Sequence, residues 1–475
     1  MTAAPAPLPG AAPTRIRYRM LFLLCLLAMI TYLDRAMYGS AKGDLMAAVG
    51  QPEKRFYLVL VAFQLAYALF EIPAGWMGDR FGPRITLLRV VGWFSLFVGL
   101  TAFAGMALPG TEFVVIGFGV LVAMQFLFGM GEAGAFPNIS KAIYNWFPEN
   151  QRGSAKGVVW MSARLMGGLT PFVWVLLVVI GGLTWRQALW VFAAVAAAWC
   201  VTFYFVFRNR PDDHQGVSPA ERELINAGKA PSQSHGSVPW GNIFGSRNVW
   251  ALCAMYTVTN FNWYFLMYYL PGTLKSQFPD WNQTDGGKLL LALLGGAPLL
   301  VGMGGCLIGG FLTDRYIRRT GDRKWGRRVY GMLGYGLAGC CYAMAAVFTG
   351  GNLWVFAACL IMVGFTNDLI MGPSWATAQD IGRQYSAIVS GMMNMVGNLG
   401  GALGILVTGL ILETYTVKMT VDGVEKDVVE SNGFVVCFIM YATVYALGVL
   451  SWLLIDPTKP IATSAAEAPI EDGSR

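Results

Sequence analysis

Twelve long apolar stretches dominate this chain and leave few folds open to it. They lie near positions 18–38, 56–77, 86–106, 113–137, 153–180 and 186–207. They recur near 248–274, 288–313, 328–349, 352–376, 385–412 and 434–455. At 1.5 Å per helical residue, each is long enough to cross a hydrocarbon core about 30 Å thick. The expected fold is an all-α membrane protein of twelve transmembrane helices in two six-helix halves. Composition agrees, since 13% of the 475 residues are charged, against about 25% in a soluble domain.

The polar intervals divide the chain. Residues 1–14 are Ala/Pro-rich and expected to be disordered, 15–207 form the first half and 248–456 the second. Residues 208–247 are a solvated linker and 457–475 a tail. Within the linker a short helix is expected around Ser218 to Ala227, with Ser218 as N-cap and Pro219 opening the helix. The net charge of +7 does not suggest nucleic acid, because the basic residues fall in short loops. About 24 Lys/Arg lie on one side and about 8 on the other, which places both termini and the linker in the cytoplasm by the positive-inside rule. Arg15, Arg17 and Arg19 precede the first stretch, and no small-residue cleavage site follows it, so the first span is retained. The eight cysteines sit in apolar segments without metal-ligand spacing and read as buried small hydrophobes. No metal and no cofactor is expected. Both histidines, His214 and His235, fall in the linker, so any proton relay at membrane depth must use carboxylates.

Charge at membrane depth marks function, because each such residue costs ~2.5–3.5 kcal/mol at a helix centre. Tyr32-Leu33-Asp34-Arg35 ends the first apolar run, Glu132 lies in the fourth within GMGEAGAFP, Arg164 in the fifth and Asp368 in the tenth. This pattern points to a water-accessible central cavity that handles an anion. A guanidinium presents a planar fork matched to a carboxylate, so Arg35 is the first candidate to hold one. An internal echo supports a transporter. Gly75-Trp76-Met77-Gly78-Asp79-Arg80 runs on to Arg84 after the second span, and Gly309-Gly310-Phe311-Leu312-Thr313-Asp314-Arg315 follows the eighth. The glycines allow close helix approach. Each aspartate can accept from helix N-terminal amides or basic residues, latching one conformation of halves that rock about a midplane site. Asp79, Arg80, Arg84, Asp314 and Arg315 form the expected latch.

The doubled loop and the six-plus-six layout resemble the major facilitator superfamily over nearly the whole chain. YLDRAMYG, QLAYALFEIPAGWMGDRFGPR, FLFGMGEAGAFPN, NWFPENQRGSAKG, NWYFLMYYLP and SGMMNMVGNLGG resemble its anion:cation symporter family, whose bacterial members import sugar acids and other organic anions. The resemblance implies that Arg35 binds the substrate carboxylate, with Asp34 as its proton-responsive partner and Glu132 as the chief proton-coupling group. It also implies substrate contacts from Tyr67, Trp375 and Asn394. Tyr32 and Asn262 join the expected pocket, as do Tyr256, Asn260 and Trp263 or Tyr264. This sequence departs from the pattern at Gln125, where sugar-acid members usually carry arginine. Arg164 stands where they often have a polar residue. We expect a positional exchange in which Arg164 supplies the missing charge and pairs with Glu132 in the occluded or proton-free state, the alternative being that Arg164 snorkels from the end of its helix. Asp368 has no counterpart in the pattern and reads as a further proton site or a gate element.

The expected function is inward transport of a small organic anion, a sugar acid such as a hexuronate, aldonate or aldarate, by proton symport. The expected setting is a monomer in the lipid of a bacterial inner membrane. Sodium-coupled or exchange transport of another carboxylate, such as an aromatic acid, stays open, with drug export and non-transporting sensing further off. An enzyme is not expected, since no metal cluster or nucleophile–base pair appears at depth.

Overall fold

A computed structural model of the chain describes residues 13–51, 56–107, 114–227, 238–421 and 424–461. The expectation of disorder for 1–14 therefore lies almost wholly outside the described residues, as do most of the tail and 228–237 of the linker. Twelve helical crossings follow one another. The first half holds Ile16–Ser40, Phe56–Phe81, Pro83–Thr101, Phe118–Glu132 with Ala135–Trp146, Arg152–Trp174 and Trp185–Val206. The second holds Arg247–Tyr264 with its extension to Gln277, Asp285–Thr320, Arg323–Val347, Leu353–Asp368 with Met371–Gly382, Ser386–Thr414 and Ser431–Leu454. They are called spans 1 to 12 below.

Among the described residues, nine helices, or ten counting one bent pair, are long and apolar enough to cross a membrane. One of the nine, Leu353–Thr414, covers spans 10 and 11 together. Span 7 falls short because its apolar run is interrupted by Tyr256, Asn260 and Asn262. Large apolar side chains cover the outside of the bundle. Phe22, Phe205, Leu447 and Leu454 are among them, and only lipid makes such a surface stable.

Two spans are broken at their midpoints. Span 4 stops at Glu132 and restarts at Ala135, with Gly134 at φ 86°. A side chain there would be strained and would strike Ala74 of span 2. Span 10 stops at Asp368 and restarts at Met371. Each break thus carries a carboxylate on the last residue of its first segment. Broken helices at membrane depth are tolerated where they face protein or a wet cavity.

Two features depart from expectation. A hairpin, Thr416–Val421 paired antiparallel with Val424–Val429, joins spans 11 and 12, so the chain is not wholly helical outside the membrane. Not all cysteines are buried: Cys340 is exposed, and Cys200 and Cys341 are half-buried. A thiol on a lipid-facing helix surface needs no shielding from water, and apolar sequence does not separate that face from the interior.

The linker helix forms at Pro219–Asn226, and the Ser218 hydroxyl accepts from the Glu221 amide at 3.3 Å. Glu221 turns inward and clamps the start of span 1. Its carboxylate accepts from the Thr14 hydroxyl at 2.7 Å, the Ile16 amide at 2.9 Å and Arg17 Nη1 at 2.9 Å. Burial opposes the charge, but these donors, with the Arg17 amide, outweigh it and hold the Glu221 carboxyl below the usual carboxylate range.

Candidate functional site

The helix breaks set the centre of the site. At Glu132, where span 4 ends its first segment, Oε1 accepts from Arg35 Nε of span 1 at 2.5 Å. At Asp368, the corresponding position of span 10, the carboxylate takes a two-pronged contact from Arg164. Nε reaches Oδ2 at 2.8 Å and Nη2 reaches Oδ1 at 3.0 Å. The first pair lies inside the first half, whereas the second joins the halves.

These pairings correct two expectations. In this conformation Glu132 does not pair with Arg164, because Arg35 of span 1 takes its carboxylate and Asp368 claims Arg164 from the other half. Asp34 does not hold Arg35: it is buried, and neither of its oxygens has a hydrogen-bond partner among the described residues. Neighbours in a helix point about 100° apart, so adjacency in Asp34-Arg35 sends the two side chains to different surroundings. Arg164 does not snorkel either, since it lies mid-helix in Arg152–Trp174 and is 3% exposed.

Tyr32 joins the two pairs. Its hydroxyl accepts from Arg164 Nη1 at 3.1 Å, and the Arg35 guanidinium stands 5.7 Å from its ring centre. Arg35 also lies 4.3 Å over the Tyr67 ring, while Trp263 sits 3.8 Å from the Arg164 guanidinium. Cations over aromatic faces keep part of their lost hydration. Beneath them Phe136 and Trp160 stack at 4.3 Å, and Trp375 leans on both. Trp375 Nε1 donates to the Tyr256 hydroxyl at 3.2 Å. Asn394 donates to Tyr67 at 3.2 Å and to Glu71 at 2.5 Å. Gln125 is buried, and its Nε2 has no partner among the described residues. Asn262 lies outside this group: its Nδ2 donates to the Val258 carbonyl, and its backbone faces Tyr342 of span 9. The face of span 7 turned toward this group carries Tyr256, Asn260, Trp263 and Tyr264, and Asn262 is rotated away by helical spacing.

Two further buried charges beside this group were not singled out in the sequence. Glu71 of span 2 and Lys156 of span 5 are both 0% exposed. Lys156 donates to the Phe136 carbonyl at 3.1 Å and lies 4.0 Å over Trp375. Both lie inside family-like stretches, and their signal was charge within an apolar window.

At the basic end the two aspartates of the repeated loop cross between the halves. Asp79 accepts from the Ile388 and Ala387 amides at the start of span 11, at 2.8 and 3.4 Å, and pairs with Lys141 at 2.9 Å. Asp314 accepts from the Ser154 and Gly153 amides at the start of span 5, at 2.5 and 3.2 Å. Each thus sits at the positive end of a helix belonging to the other half. The arginines of the loop do not take part. Arg80 packs on Trp76 and Phe81, Arg84 turns to Asn209 and Tyr204, and Arg315 lies exposed near Phe311. Arg327 and Arg152 serve instead, Arg327 bridging Asp314 and Asp380 while Arg152 reaches Asp380 at 2.9 Å. A partner of matching charge comes from whichever helix faces the seam, which spacing within one loop does not reveal. Bonds between the halves reach as far from the basic end as Gln64, which donates to Tyr264 and Asn398.

A family model described as Major Facilitator Superfamily matches residues 24–405. The chain is 29% identical over 402 residues to the Probable sulfoacetate transporter SauU of Cupriavidus necator, covering 84% of this chain and 88% of that protein. It is 25% identical over 467 residues to the D-galactonate transporter of Escherichia coli, covering 94% and 97%. Among solved structures, the human organic anion transporter MFSD10 (TETRAN) superposes with a TM-score of 0.60 at 15% identity, covering 92% of this chain and 99% of that one.

Proposed function

We propose that this chain, which belongs to the Major Facilitator Superfamily, carries a small organic anion across the membrane together with protons. Transport of anions by its curated relatives supports the class. The observation that carries the coupling is the charge count at the centre. Three cations, the buried Lys156 and Arg164 and the half-buried Arg35, face four buried carboxyls, Asp34, Glu71, Glu132 and Asp368. An incoming anion adds a negative charge to a set already short of positive ones, in surroundings where each uncompensated ion costs several kcal/mol. Protons remove that obstacle. With two protons on the carboxyls, a monoanion leaves the set neutral.

Arg35 is the anchor in this reading. Its Nε is engaged by Glu132, while its Nη2 has no partner among the described residues, leaving part of the guanidinium fork for a carboxylate or sulfonate. A proton on Glu132 releases Nε as well. Asp34, lacking donors of its own, is the companion proton acceptor. Gln125 Nε2 and Trp160 Nε1, also without protein partners, suit the hydroxyls of a sugar acid. The bonds between the halves close the basic end, which we assign to the cytoplasm. Arg164–Asp368 joins the halves at mid-depth, where a rocking motion has its pivot.

The test is uptake into proteoliposomes of a panel of hexuronates, aldonates, aldarates, aromatic acids and short sulfonated acids. At least one is expected to accumulate under an inward proton gradient and not under sodium alone, and Arg35→Ala to abolish its binding in calorimetry. Accumulation that follows sodium or a counter-anion with the proton gradient collapsed would overturn the coupling. Normal affinity in Arg35→Ala would overturn the anchor.

A further inference from the structure

The charge count above includes Glu71 but assigns no role to a proton on it. Its carboxyl sits in the seam between spans 2 and 11, which belong to different halves. Oε1 accepts from Asn394 Nδ2 at 2.5 Å. Oε2 is buried without any hydrogen-bond partner among the described residues. The same Asn394 amide reaches the Tyr67 hydroxyl, and Tyr67 lies under the Arg35 guanidinium. A short chain of contacts therefore runs from the anion anchor to Glu71.

The seam around it is tight. A Cβ on Gly391 of span 11 would stand 2.7 Å from the Glu71 carbonyl oxygen, and one on Gly75 of span 2 would stand 2.6 Å from the Ala387 carbonyl oxygen. One turn further toward the basic end, Asp79 holds the first amides of span 11. Water reaches Glu71 from the basic end only when spans 2 and 11 part.

We propose that Glu71 is a third proton-binding group of this transporter, a pin that carries a proton while the basic-end gate is shut and gives it up when the gate opens. An ionised carboxylate is an acceptor only, and here one oxygen meets no donor. A proton on Oε2 removes the buried charge and turns that oxygen into a donor. Parting of the halves wets the group and removes the penalty. A ligand bound more tightly by one conformation shifts the balance toward it, and here the ligand is the proton. The charged and titratable groups around Glu71 are Tyr67 on its own helix, Arg35 and Glu132 beyond Tyr67, and Lys156 from span 5. Span 11 presents the uncharged Asn394. Lys156 is engaged by the Phe136 carbonyl and the Trp375 ring, so it leaves Oε2 unpaired.

The proposal rests on the transport reading, but its test does not require the substrate. Spin labels at Arg80→Cys and Arg315→Cys, exposed positions on opposite halves of the basic end, report opening by electron–electron distance in lipid nanodiscs. The probe is pH alone. One linked proton allows the open-to-closed ratio to rise up to about tenfold per pH unit. Glu71→Gln, which keeps the size and the hydrogen bond to Asn394, should stay closed and flatten that slope by one proton. Glu71→Asp should restore the slope with a moved midpoint. A Glu71→Gln protein that opens with the wild-type pH slope overturns the proposal, as does a Glu71→Asp protein as flat as the Gln variant. If no anion is taken up while the slope behaves as stated, the transport reading fails and the gate pin stands.

Discussion

Removing the Arg164 side chain should destabilise the protein far more than removing the pair it belongs to. Arg164 and Asp368 are 4% and 0% exposed and meet through two parallel hydrogen bonds of 2.8 and 3.0 Å. Arg164→Gln leaves Asp368 buried with its charge uncompensated, a change that costs about 3–5 kcal/mol in a buried pair. Asp368→Asn alone strands Arg164 in the same way. The double variant Arg164→Gln with Asp368→Asn removes both charges and keeps polar groups that can bond each other. Its loss should be smaller than that of either single variant, with an interaction energy of about 2–3 kcal/mol. Equilibrium unfolding by SDS in mixed micelles, run on all four proteins, measures these differences directly. A single-variant loss under about 1 kcal/mol would refute the reasoning, as would a double variant no better than the worse single one. The same cycle tests the positional exchange. Gln125→Arg combined with Arg164→Gln should recover nothing, because the stranded carboxylate is Asp368 on the other half.

Three more outcomes are expected. Glu132→Gln should retain anion counterflow but fail to concentrate the anion under a proton gradient; undiminished accumulation in proteoliposomes would move the coupling elsewhere. Asp314→Asn weakens charge-assisted bonds to the Ser154 and Gly153 amides and to Arg327. Such bonds contribute about 1.5–3 kcal/mol each, so the basic end should open at least tenfold more often in the distance measurement above. Finally, because Glu221 has a depressed carboxyl pKa, its clamp on the start of span 1 is fully formed above the ordinary glutamate range near about 4.3. It is lost as pH falls through the lower folded-state value. The protection factors of Ile16 and Arg17 against hydrogen exchange should be high at pH 7 and fall in acid. Glu221→Gln should exchange fast at both.

The sequence by itself determined the architecture. Twelve apolar lengths matched to a bilayer admit little else, and the repeated Asp79 and Asp314 loops disclosed two related halves, because both signals are local in the chain. The sequence also named most of the charged residues at the centre, since a charge in an apolar window is conspicuous wherever it points. Tertiary structure alone decided who meets whom. Arg35 left its neighbour Asp34 for Glu132, 97 residues away, and Arg164 found Asp368 at a separation of 204. Asn262 turned out of the site, while Trp263 and Tyr264 beside it turned in. Arg327 displaced Arg315 from the latch. Each outcome depends on helix rotation and on which span lies opposite, and these are fixed by packing summed over whole helices rather than by any short run of residues.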